Sequence, residues 1–71
     1  MDKNKDYTKR IDEVDADNAY IGTASPCASE TDAVWQIRKV VTSGTAISII
    51  FASGNNLFDK IWSNRTTYIY L

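Results

Sequence analysis

A chain of 71 residues with a formal charge of −1 and 24% charged residues excludes a multidomain enzyme and strains even one self-sufficient domain. A single core of this size supplies only about 3–5 kcal/mol, so small chains usually add a disulfide, a metal or association. Cys27 is the one cysteine and there is no histidine, which excludes an intrachain disulfide and the usual Cys/His zinc sites and leaves association.

The charges divide the chain. Residues 1–18 carry Lys3, Lys5, Lys9 and Arg10 against Asp2, Asp6, Asp12, Glu13, Asp15 and Asp17, while residues 19–71 carry only Arg38, Lys39, Lys60 and Arg65 against Glu30, Asp32 and Asp59. Residues 1–18 therefore read as a charged N-terminal arm, and 19–71 as a small β domain. In the arm, Tyr7, Ile11 and Val14 fall at i, i+4, i+7, one face of a short helix that is too brief to hold itself in water. The arm is expected to dock on another surface, with Tyr7, Arg10, Ile11 and Val14 as its candidate contacts.

The domain reads as mainly β, a small antiparallel sheet. Ala19–Ala24 is an extended segment stopped near Gly22, and Ser25-Pro26-Cys27-Ala28-Ser29 is a turn. Over Asp32–Val41 a capping-box-like Ser29-x-x-Asp32 suggests a helix, but Val34, Ile37, Val40 and Val41 are β-branched and Trp35 also favours strands. Strand is the better reading. Thr42-Ser43-Gly44-Thr45 then turns the chain into Ala46–Ala52, completing a hairpin in which Ile47, Ile49 and Phe51 share one face. After the Ser53-Gly54-Asn55-Asn56 turn, Leu57, Phe58, Ile61 and Trp62 suggest a short helical turn near 57–62 that plugs an apolar face. Thr66–Leu71 reads as a last strand.

The chemistry is sparse. No histidine stands by to activate Cys27, the glycines lack phosphate-cradling spacing, and the carboxylate pairs lie in the charged arm. No enzyme activity and no cofactor is expected. Neither half has the positive excess that nucleic acid demands, and the longest apolar run, Ala46–Ala52 broken by Ser48, is far short of a bilayer span. Nucleic acid and membrane are thus not expected partners, and a charged N-terminus without an apolar stretch suggests a soluble protein used without export.

The aromatic load is what stands out. Trp35, Phe51 and Phe58 read as core, yet the Trp35/Ile37 face and the Ile49/Phe51 face cannot both be buried by one helical turn. Some of Tyr20, Ile21, Trp35, Ile37, Trp62, Tyr68 and Tyr70 are therefore expected at a subunit interface.

Three blocks taken together resemble small bacteriophage virion structural proteins. They are Thr8-x-Arg10-x-Asp12-Glu13-Val14; Tyr20-Ile21-Gly22-x-Ala24-x-Pro26 with Ala33-Val34-Trp35-x-Ile37-x-Lys39; and Phe51-Ala52-x-Gly54-Asn55-x-x-Phe58-Asp59-x-x-Trp62-x-Asn64-Arg65. The resemblance covers roughly residues 8–70. It departs at Cys27, where a Gly commonly follows the Pro, and at Ser53, where an Asp commonly precedes the Gly-Asn. The Tyr-Ile-x-x-Ala-x-Pro entry into a Trp-bearing hairpin is also similar to the trimerisation domain of bacteriophage fibritin. That likeness implies Tyr20, Ile21, Trp35 and Ile37 near a three-fold interface.

The resemblance implies a virion component made in the host bacterial cytoplasm. It would self-associate, as a trimer by the fibritin likeness, and dock on head, connector, tail or fibre proteins. The alternative is a monomeric adaptor or host-interaction module that is not part of the particle.

Overall fold

The computed structural model describes residues 7–71, and the expectations for residues 1–6 lie outside it. Four strands form an antiparallel meander in sequential order: β1 (Thr8–Asp15), β2 (Asn18–Ala24), β3 (Ala33–Ser43) and β4 (Ala46–Phe51). The fold is mainly β.

Turn chemistry sets each reversal. Between β1 and β2 the Asp15 carboxylate accepts the Asp17 N–H at 2.8 Å and the Asn18 side-chain amide at 3.0 Å. These bonds, the Asp17 one first, hold the Asp15 carboxyl below its ordinary pKa. Between β3 and β4 the turn is Gly44-Thr45, closed by the Ser43–Ala46 pair. Gly44 has φ 62°, the positive first position that a two-residue type II′ turn requires.

β3 is the longest strand and serves three neighbours. One edge pairs β2 from Gln36 to Val41, and the other pairs β4 from Arg38 to Ser43. The remaining N-terminal stretch pairs a two-residue strand, β5 (Lys60–Ile61), through Ala33–Ile61 and Trp35–Lys60. That ladder displaces the helical turn expected at 57–62. Backbone pairing to an open strand outweighs a helix too short to nucleate, and the one helical element among the described residues is a 3-10 turn at Trp62–Asn64. Leu57 and Phe58 are left exposed. The Ser29/Asp32 pair closes a turn ahead of β3 instead of capping a helix: Asp32 accepts the Ser29 N–H at 3.1 Å.

The last strand expected over Thr66–Leu71 is also reduced. Residues 65–67 are held in turns by Arg65 N–H to Trp62 O and Thr67 N–H to Asn64 O, and only an Ala52–Tyr70 bridge remains of sheet pairing. The 62–71 segment crosses one face of the meander, closes the core with Trp62, Tyr68 and Tyr70, and ends beside β4, where Phe51 and Leu71 exchange backbone bonds.

Ser25-Pro26-Cys27-Ala28 is a turn closed by Ala28 N–H to Ser25 O at 3.3 Å, with Cys27 at φ 63°. Proline second and positive φ third is the type II arrangement, in which glycine belongs at the third position. Ser53, at φ 58°, is the other non-glycine residue in that region among those described. Cys27→Gly is expected to raise stability by about 1 kcal/mol, the cost of holding a Cβ in the left-handed region; thermal melting of the two proteins measures it.

Candidate interaction surface

The pleat gives the sheet two faces of opposite character. On the first, Tyr20, Ala24, Trp35, Ile37 and Ala52 are buried together with Trp62 from the covering segment. Gly22 makes that cover possible: a Cβ there would lie 2.5 Å from Trp62 Cε3 and 3.0 Å from Trp35 Cε3. The two indoles sit 5.7 Å apart, and Tyr20 and Tyr70 5.5 Å apart.

Polar groups fasten the lid. Arg65 donates to Asp12 Oδ2 at 3.0 Å and its guanidinium lies 4.6 Å over the Trp62 ring. Tyr70 donates its hydroxyl to Arg65 O at 2.6 Å, and Tyr68 accepts the Ile61 N–H at 2.8 Å. Trp35 Nε1 donates to Ser29 O at 2.9 Å. Burial pushes the Tyr70 phenol above its ordinary pKa. Lys39 lies over both Tyr20 and Tyr70, at 5.6 and 5.9 Å.

This arrangement corrects the expected interface. Tyr20, Trp35, Ile37 and Trp62 are buried by their own chain, and Tyr68 and Tyr70 are half-buried in the lid. The three-fold arrangement around Tyr20, Trp35 and Ile37 has no exposed side chains to use. The reason is the 62–71 segment, which covers this face more fully than a single helical turn can. Ile21 alone of that set points to the other face.

The arm boundary also moves. Residues 8–15 are a full strand of the sheet, so a division at 18/19 falls inside the β1–β2 hairpin. Ile11 and Val14 are not on one helical face: Ile11 pairs Ile21 across the ladder, and Val14 lies in the irregularity between Glu13 and Asp15. Arg10 is bound within the chain, to Glu30 at 3.0 Å, with its guanidinium 6.0 Å from the Trp35 ring. Tyr7 stacks on Phe58 at 6.5 Å and helps line a cleft of about 320 Å³ with Ser25 and Val34. Phe58 is thus at the rim and not in the core, because β5 turns the chain away just after it.

Among the described residues no segment packs on the second face as 62–71 does on the first. Register places Ile11, Ile21, Arg38 and Phe51 in one row, and Glu13, Ala19, Val40 and Ile49 in the next, with Ile47 beyond opposite Thr42. Ile11, Ile47 and Ile49 are 69, 67 and 57% exposed. Phe51, expected in the core, belongs to this face and is half-buried among its neighbours. An exposed, largely apolar face of this kind is the candidate interaction surface of the chain. Within it Arg38 is half-buried: its Nη2 reaches Thr23 Oγ1 at 3.5 Å, while its buried Nε has no acceptor among the described residues.

Alternation revealed Ile47, Ile49 and Phe51 as one face in the sequence; Val40 and Ile11 join it only through pairing register. The described residues contain no group of three metal-ligating side chains, and Cys27 is exposed. No known protein family, curated protein or solved structure matches this chain.

Proposed function

We propose that the protein is a small structural component of a bacteriophage particle, which self-associates and lies against neighbouring particle proteins. The observation that carries this reading is the uncovered apolar face of Ile11, Ile21, Val40, Ile47, Ile49 and Phe51. The virion-protein resemblance over residues 8–70 supports the setting, assembly in the host cytoplasm followed by incorporation. Self-association is proposed here without the Tyr20/Trp35/Ile37 contacts, which the fold uses internally.

Ile21→Glu tests it. Ile21 sits opposite Arg38, so a carboxylate there gains a cross-strand partner and the fold should survive. It also breaks the centre of the apolar face, where truncation or charge is most damaging to binding. The expected result is a melting curve within about 1 kcal/mol of wild type and copies per purified particle, counted by mass spectrometry, reduced at least about tenfold. Wild-type protein absent from purified particles would instead favour a monomeric adaptor or host-interaction module.

A further inference from the structure

Arg38 stands where the second face changes character. It pairs Ile21 on β2 and Phe51 on β4, with the row of Glu13, Ala19, Val40 and Ile49 on one side of it and the polar row of Lys9, Thr23 and Gln36 on the other. The fold treats the chain's three arginines differently. Arg10 meets Glu30 and Arg65 meets Asp12, each at 3.0 Å. Arg38 meets no carboxylate among the described residues. Its Nη2 reaches Thr23 Oγ1 only at 3.5 Å, outside the usual N–H···O range of about 2.7–3.2 Å, and its buried Nε has no acceptor there.

An arginine cannot shed its proton to escape burial, so a desolvated donor without an acceptor is a standing cost to the free chain. A carboxylate brought from outside removes that cost, because guanidinium–carboxylate bonds are charge-assisted, come in pairs and are stronger than neutral ones. The charge on the face has the matching sign. Among the described residues, Lys9 and Arg38 stand on it against Glu13 alone, although the whole chain is at −1. A second copy laid face to face would bring the same positive excess against it, whereas an acidic partner complements it.

We infer that Arg38 anchors this surface by taking a carboxylate from a neighbouring particle protein, on an aspartate or glutamate flanked by apolar side chains. This rests on the contact with neighbouring particle proteins in the proposed function and names its chemistry. Turning Arg38 off Thr23, whose bond is too long to hold it, presents the Nε and Nη2 edge to both oxygens of the carboxylate. The partner's apolar side chains lie over Ile21, Val40, Ile49 and Phe51 and keep water from the pair, which strengthens it.

Two variants test the anchor in purified particles. Arg38→Met keeps the apolar stem and removes the orphaned donor, so it should melt no lower than wild type. Its copies per particle, counted by mass spectrometry, should nonetheless fall by about tenfold or more. Arg38→Lys keeps the charge but loses the paired geometry, and should be incorporated at an intermediate level. In those particles a zero-length carbodiimide should join the introduced amine to an aspartate or glutamate of a neighbouring particle protein, identified by peptide mapping. A join to Glu13 of a second copy, or to Asp2 or Asp6 of the same chain, would overturn the inference by naming a different occupant. Arg38→Met incorporated like wild type while Ile21→Glu is depleted would overturn the carboxylate anchor and leave the proposed function standing. Wild-type protein absent from purified particles would overturn both.

Discussion

Trp35→Ala is expected to leave the protein largely unfolded at room temperature. Trp35 is fully buried, packs on Trp62, and anchors the loop ahead of β3 through its Nε1 bond to Ser29 O. Truncating a buried aromatic costs about 3–5 kcal/mol, partly as lost transfer energy and partly as an unfilled cavity. A chain this small has about that much in its core altogether. The orphaned Ser29 carbonyl adds to the loss, and a chain without a disulfide has no covalent restraint on the unfolded state. Near-UV circular dichroism and a thermal melt measure the effect. Trp35→Phe, which refills much of the space, should recover part of it. A Trp35→Ala protein that melts within 1 kcal/mol of wild type would remove Trp35 from the core.

Gly22→Ala carries the second large effect, and its sign runs against the general trend. Adding a Cβ in a strand normally helps by about 0.5–1 kcal/mol, because glycine loses the most backbone entropy on folding. At this position the new carbon meets Trp62 at 2.5 Å and 2.7 Å, below any real contact distance. The neighbour is a rigid, buried indole, not the end of a flexible chain, so the lid must move outward. Moving it stretches the Arg65–Asp12 contact and the tilted Tyr70–Tyr20 ring contact. Overpacking of this sort costs about 1–3 kcal/mol. The double-mutant cycle is the sharper test. In a Trp62→Phe background the ring system is smaller, and Gly22→Ala should cost clearly less than in the wild type. Equal costs in both backgrounds would mean that the clash is relieved by the backbone of β2 and not by the lid.

Much of the fold was legible because strand periodicity is local. β-branched runs on either side of Gly44 marked the β3–β4 hairpin, and its turn needed only two residues of suitable chemistry. The segment after Ser53 was less legible. Leu57, Phe58, Ile61 and Trp62 have helical spacing, but their conformation depended on an open stretch of β3 beside Ala33 and Trp35, which no local pattern announces. The N-terminal arm failed for a related reason. Its charge density marks an exposed strand edge as readily as a free arm, and Asp12 meets its partner Arg65 fifty-three residues later.

The candidate surface divides in the same way. The sequence by itself determined that this chain would be mainly β, that it lacked a disulfide and a histidine, and that it had more apolar sheet surface than so few residues can cover. Only the tertiary structure decided which face stays open. That choice follows from Gly22, whose missing Cβ admits Trp62, and from the Asp12–Arg65 contact that holds the lid on the Trp35 face. These are contacts between distant residues, so local propensity cannot encode their outcome. Among the described residues, the face of Ile11, Ile21, Ile49 and Phe51 is left without such a cover because the 62–71 segment is held on the other side.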